Sequence, residues 1–338
     1  QINQISGFIN TLSVQRAFTL TNALTLEATG GGTSQLAIAP SSAALTVPIT
    51  GGLTVNSGGL LTLGVGTANG FGSTLNAATT LNGGTISVSA GLTGSATQAQ
   101  VTSLNMTGGN LTLAGVSGND TRLRISGAFT ASGGAIALGG AGAGQLVLGG
   151  ATNTISGTTT LGSNITLSLD AVGQTLSSTT ALGSVILRGS GTLVKTVSSS
   201  AAGNNIGQIQ FINSLNNGST TLQLGGNLKT GTALPAAQNF GSQGGGITGT
   251  VNFGIDTNGF TLDLTSTTGI YTPNRATNGT TLITTNYTFS GTGRIRATSF
   301  NLSTASQVNI GVDTILEAAG GINTNTNLGG LGTIDPNS

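Results

Sequence analysis

The sequence predicts an all-β fold, a parallel β-helix (solenoid) whose coils are about 25 residues long. Three observations lead there. Aliphatic–polar–aliphatic triplets run from end to end, Gly pairs recur at a fixed interval, and charge is nearly absent.

The triplets set the local structure. Leu24-Thr25-Leu26, Leu61-Thr62-Leu63, Leu111-Thr112-Leu113, Leu222-Gln223-Leu224, Leu262-Asp263-Leu264 and Val308-Asn309-Ile310 all have a period of two. That is the period of a strand with one buried face. Glu and Lys, good helix formers, are scarce, whereas β-branched Thr, Val and Ile abound.

The longer period sets the architecture. The pairs Leu36/Ile38, Leu61/Leu63, Ile86/Val88, Leu111/Leu113 and Ile136/Leu138 step by 25 residues. Gly58-Gly59, Gly83-Gly84, Gly108-Gly109 and Gly133-Gly134 keep that step, and so do Ser57, Asn82, Thr107 and Ser132 before them. Three strands of about 5 residues, joined by turns of 2 to 4, fill about 25 residues, one triangular coil. An interior column through Leu61, Ile86, Leu111 and Ile136 is expected. Gly supplies the positive φ that sharp corners require, as do the Asn-Gly steps at Asn69, Asn82, Asn217, Asn258 and Asn278.

Past residue 150 the register slips. Leu161 is in phase, but its strand reads on into Ile165-Thr166-Leu167-Ser168-Leu169, as though a few residues were inserted. Residues 235–250 carry Pro235 and a Gly triplet and read as a loop or boundary. The expected organisation is a strand segment at 1–20, a regular solenoid at 21–234, the loop at 235–250, and a less regular solenoid at 251–338.

Composition excludes much. Of 338 residues 58 are Gly, nine are basic and eight acidic, and charged residues make up 5%. An ordinary domain has roughly 25%. With 36% hydrophobic residues and a net charge of +1, the chain has core-forming side chains and no charge repulsion to hold it open. Neither a nucleic-acid partner nor an anionic membrane surface is implied. Cysteine is absent, so the redox compartment cannot be read. The sole Met is Met106, so Gln1 is not an initiator: either a signal peptide has been removed or the sequence begins mid-chain, and an N-terminal Gln followed by strand-like sequence fits export. Residues 133–151 are uncharged but interrupted by Gly, which favours strands over a membrane-spanning helix.

Val55-Asn56-Ser57-Gly58-Gly59-Leu60-Leu61-Thr62-Leu63, Leu81-Asn82-Gly83-Gly84-Thr85-Ile86-Ser87-Val88 and Leu104 to Leu113 resemble coils of autotransporter passenger domains and haemagglutinin-like exoproteins. Leu146 to Leu167 is similar to the passenger-associated repeat, with Ile155 where that repeat usually has an aromatic residue. The resemblance covers roughly residues 45 to 230. It implies a right-handed β-helix, secreted or surface-displayed, and brings no catalytic residues with it.

With neither His nor Cys, the usual triads, thiol nucleophiles and zinc sites are ruled out. The close carboxylate pairs are Asp256/Asp263 and Asp313/Glu317. A glycosidase needs two such groups facing one cleft, about 5 to 9.5 Å apart. Asp263 takes the outward position of a triplet and Asp256 sits in a turn-like Asp-Thr-Asn-Gly, so these read as turn or surface carboxylates. A single calcium site at Asp256 or Asp313 stays open. Arg122/Arg124 (with Asp120 nearby) and Arg294/Arg296 alternate on strand faces, either solvated or forming basic patches. Gly142-x-Gly144 in so Gly-rich a chain says nothing about nucleotides, and the sequons at Asn110 and Asn164 follow from composition. Thr62, Ser87 and Thr112 form an outward ladder, of the kind ice-binding solenoids display or plain β-surface. No catalytic, cofactor-binding or metal residue is assigned.

The expected function is a non-enzymatic structural protein, secreted to the cell surface or matrix, whose main partner is itself. Solenoid ends expose unpaired strand edges, and residues 2–14 and 318–334 are uncharged. Ile2, Phe8, Leu12 and Val14 alternate in a segment suited to pairing with the terminal coil of a neighbour, or to capping its own first coil. The alternative is a passenger-type adhesin that binds a surface glycan or host protein through an aromatic patch at Tyr271 and Tyr287.

Overall fold

The computed structural model describes residues 2–5, 7–40, 44–64, 72–89, 98–114, 120–140, 143–162, 165–189, 192–203, 205–213, 217–229, 237–239, 242–243, 249–265, 270–272, 277–278, 281–302, 305–323, 327–330 and 332–335. They form a β-solenoid of parallel stacked strands with coils of about 25 residues. Two compact units are distinguished, Gln1–Ser168 and Leu169–Ser338.

In the first unit, one side of the coil is a parallel sheet of seven strands. They are Ile9–Val14, Thr33–Ile38, Gly59–Leu63, Thr85–Ser89, Asn110–Ala114, Ala135–Leu138 and Thr160–Leu161. Pairing puts Leu12, Leu36, Leu61, Ile86, Leu111, Ile136 and Leu161 in one line. Leu36 through Ile136 are buried. The column expected from the 25-residue step is therefore present. Each fully buried aliphatic side chain in it contributes about 1.5 to 3 kcal/mol.

The strand Gln98–Met106 spans the other two sides. Gln98–Val101 pairs with Arg122–Ile125, and Leu104–Met106 with Phe129–Ala131. A register shift between Val101 and Ser103 marks the corner between those sides. A second interior line joins Leu26, Val55, Leu81, Met106, Ala131 and Ile155, all fully buried.

The Gly corner answers two demands at once. Gly109 has a φ of 84°, in the region that side chains disfavour. A Cβ there would also lie 2.3 Å from the carbonyl oxygen of Gly84, one coil away. Beside this corner runs a polar ladder. Asn56 Nδ2 donates to Glu27 Oε2 at 3.2 Å, Asn82 Nδ2 to Asn56 Oδ1 at 3.2 Å, and Thr107 Oγ1 to Asn82 Oδ1 at 3.1 Å.

Two sequence readings change here. The strand at Leu161 does not run on to Leu169. It stops at Leu161, and the Ile165 N–H donates to the Gly162 carbonyl at 3.1 Å. Ile165–Leu169 is a separate strand in another sheet. The segment 2–14, expected either to pair with a neighbour or to cap the first coil, is itself built into that coil. Ile2–Ile5 and Ile9–Val14 pair in parallel with Leu24–Thr29 and Thr33–Ile38, so they form the first coil. The uncharged segment 133–151 holds the strands Ala135–Leu138 and Ala143–Leu148.

In the second unit the strands stay in register while the coil length varies. Hydrogen-bonded partners in adjacent coils are 33 residues apart at Gln223–Asp256, 34 at Asn252–Asn286 and 21 at Thr285–Ser306. The long coils carry the short strands Ala237–Asn239 and Ser242–Gln243, inside the expected 235–250 loop, and a hairpin. That hairpin pairs Thr277–Asn278 antiparallel with Thr281–Leu282, around one of the Asn-Gly steps. Asn217 and Asn258, at two others, have φ of 61° and 47°. Asn69 lies outside the described residues. Aromatic rings fill this core. Phe211 and Phe253 have centroids 5.2 Å apart, and Phe253 and Tyr287 5.7 Å.

Leu111→Asp should bury an unpaired carboxylate and remove about 4 kcal/mol of stability. Thermal unfolding followed by circular dichroism checks it, and an unchanged Tm would refute the column. Gly109→Ala should cost more than about 1 kcal/mol.

Candidate functional site

Every charged side chain in so neutral a chain is a candidate, and the acidic ones come first. Asp256 ends the strand Thr250–Asp256. Its Oδ2 accepts from Gln223 Nε2 at 3.0 Å, and its Oδ1 accepts from the Asn258 N–H at 3.0 Å. It thus braces the turn in which Asn258 and Gly259 take positive φ. Asp263 ends Thr261–Asp263, which belongs to a different sheet. It accepts from the Thr265 N–H at 2.9 Å and from the Thr265 hydroxyl, and lies 3.8 Å from Lys229 Nζ. Each carboxylate braces its own turn and also reaches the preceding coil, Asp256 at Gln223 and Asp263 at Lys229.

Asp313 and Glu317 part company. Asp313 is exposed in a turn, whereas Glu317 is only 3% exposed. The reading of Glu317 as an ordinary surface carboxylate is corrected here, while Arg294 and Arg296 do lie on an exposed strand face. Both guanidinium groups reach from the adjacent coil and bond to the two Glu317 oxygens. The cause is register, which sets Arg296 beside Glu317. The same line continues in both directions, joining Lys229, Asp263, Arg296, Glu317 and Asp335. Charge alternates over its first four members.

The other basic candidates are half-buried. Arg122 and Arg124 lie on Asp120–Ile125, with Arg122 in register between Gln98 and Gln145. The side chains of Asp120 and Tyr271 lie outside the described residues, as do Gly142 and Asn164. Gly144 is within the strand Ala143–Leu148. Asn110 is exposed. Thr62, Ser87 and Thr112 do stand in register on the outer face.

Tyr287 is not part of a surface patch. It is fully buried, and burial pushes its phenol well above the usual tyrosine range. Strand alternation puts it inward, since Thr285, Tyr287 and Phe289 share the buried face of Thr284–Ser290.

The most unusual group is Lys195, which the sequence reading overlooked. In Thr192–Ser199 the inward positions are Leu193, Lys195, Val197 and Ser199, so a lysine occupies a core position. It is 0% exposed. Nζ donates to the Ala171 carbonyl at 2.6 Å and to Gln174 Oε1 at 3.2 Å. Gln174 is itself buried, and its Oε1 also accepts from the Ala171 N–H at 2.6 Å. Burial pulls the amine down from 10.5 to about 8, partly opposed by the Asp170 carboxylate. The alternation Leu193-x-Lys195-x-Val197 was the signal that could have found it.

Open clefts among the described residues include one of about 480 Å³ along Leu12–Phe18 and one of about 500 Å³ along Ser299–Asn301 and Gly320–Asn323. Neither is lined by a carboxylate. Among the described residues there is no group of three or more side chains suited to hold a metal ion, and no helix is long and apolar enough to cross a membrane. Comparison with known proteins gives no matching family model, no matching curated protein and no matching solved structure. Several of the polar side chains join one coil to the next.

The Glu317 contact predicts an asymmetry. Replacing Arg294 and Arg296 together by Gln leaves a carboxylate buried without its cations, whereas Glu317→Gln leaves two arginines that reach water. The double variant should lose at least about 1 kcal/mol more than Glu317→Gln. Urea unfolding of both variants measures the difference, and equal losses would contradict it.

Proposed function

We propose that this chain is a non-enzymatic structural β-solenoid of an extracellular surface or matrix, assembling head to tail with copies of itself. The observation that carries this reading is the outer edge of the first coil. The strand Ile9–Val14 ends its sheet, and Phe8 and Ile9 beside that edge are 72% and 70% exposed. Leu12 and Phe18 are exposed as well. In the last coil Thr333–Asp335 ends its own sheet, with Leu328 and Ile334 exposed nearby.

An open edge adds a strand through main-chain hydrogen bonds and side-chain contacts. The first coil offers the edge facing away from the second, and the last coil the edge facing away from its predecessor. Joining one to the other continues the parallel order, and such a heterologous contact propagates unless its rotation closes a ring. With nine basic and eight acidic residues in 338, little charge opposes association. The resemblance of residues 45 to 230 to exoprotein coils supports the extracellular setting. The adhesin alternative loses the Tyr287 half of its aromatic patch to the core.

Negative-stain microscopy of the 338-residue protein should show filaments, and Phe8→Lys with Ile9→Lys should yield folded single particles. Substitution is preferable to removing residues 1–14, which would only uncover the edges of Leu24–Thr29 and Thr33–Ile38. Isolated particles from the wild type, or unchanged filaments from the variant, would overturn the assembly. A polysaccharide panel tested with wild type, Asp256→Ala and Asp263→Ala should show no turnover in any of the three. Turnover that either substitution abolishes would overturn the non-enzymatic reading.

A further inference from the structure

We propose that Lys195 and the turn it reaches, residues 170–174, form a proton-controlled latch in the second unit, weaker while the amine is charged and tighter once the proton has left. The geometry makes the amine a clasp between coils. Thr192–Ser199 pairs with Thr175–Ser178 on one side and with Ser219–Leu224 on the other. From the middle of that stack Lys195 Nζ reaches back to the Ala171 carbonyl and Gln174 Oε1. At the tip of the turn, Val172 is 71% exposed and Gly173 has a φ of 61°.

Two acceptors suffice for either protonation state, because a neutral amine still has two N–H groups to donate. Losing the proton therefore keeps both hydrogen bonds and removes one buried charge. The charged groups nearby are few. Asp170 in the turn favours the ammonium. Leu182–Gly189, in the same coil, carries Arg188, while Thr175–Ser178 and Ser219–Leu224 carry none. Lys195 itself stands in register with Leu222. A charge placed between aliphatic neighbours costs free energy that a single carboxylate does not fully offset.

The sign follows from proton counting. The folded amine releases its proton near 8, and the unfolded amine near 10.5. Between those values the unfolded chain holds one more proton, so stability rises with pH. The destabilisation is fully present below about 8 and gone above about 10.5. Tyr287 acts oppositely above about 10, since only its unfolded form ionises there. The useful window therefore closes near 9.5.

Tyrosine fluorescence isolates the unit, because both tyrosines, Tyr271 and Tyr287, lie within residues 169–338. Urea unfolding of the full chain is followed from pH 7 to 9.5 for wild type and Lys195→Met, so that all other titrating groups cancel in the ratio. The wild-type folded-to-unfolded ratio, divided by that of the variant, should rise on the order of tenfold or more. A quotient that stays constant overturns the latch. Asp170→Asn gives an independent arm should Lys195→Met not fold. Without that carboxylate the rise should begin at lower pH, and a profile superimposable on wild type would equally overturn the proposal.

Discussion

Parallel strands stacked in register set each residue against one chosen counterpart a coil away, at roughly 4.8 Å. In the first unit that one constraint organises everything else. An aliphatic position must be followed a coil later by another, as at Leu61, Ile86 and Leu111. A corner that touches the backbone of the coil before it must be Gly, as Gly109 is against the Gly84 carbonyl. An outward amide can bond to its successor, as Asn82 does to Asn56. Charge is the hardest case, because a repeated charge would face its own kind at each coil. In the second unit Lys229, Asp263, Arg296 and Glu317 follow one another with alternating sign.

The constraint acts on strands and leaves the segments between them free. Closing a longer loop costs little, about 0.6 kcal/mol per doubling of length. Coil partners separated by 33, 34 and 21 residues therefore keep the same parallel pairing. Lys195 fits the same logic from the opposite side. A buried amine in one coil has its acceptors at Ala171 and Gln174 in the preceding one, so its hydrogen bonds depend on that coil alignment.

How much of this was legible in the sequence depended on whether coil length was constant. Up to Leu161 a fixed step aligned column, corner and ladder without any structure. Beyond it the step of 25 no longer matched the coils, so the approach of Arg294 and Arg296 to Glu317 could not be foreseen, their coil being shorter. Lys195 and Tyr287 were legible in principle, since period-two alternation alone assigns both to the interior. Their residue types suggested surface, and that expectation hid the pattern. Asp256 was readable because Asp-Thr-Asn-Gly is a turn by its own chemistry. The stop at Leu161 was not, because it goes with a backbone hydrogen bond from Ile165 to Gly162 that no side-chain pattern announces.

The direction of the hydrogen bonds in the first unit also has a mechanical side. The bonds that join Thr85–Ser89 to Asn110–Ala114, and that strand to Ala135–Leu138, point along the stacking direction. A load that separates two coils squarely must strain all the bonds of three sides together, and yields only when they fail as a group. A load applied to one strand from its end meets the same bonds singly, as a zip does. The first unit should thus resist tension along its stack far better than peeling from a corner.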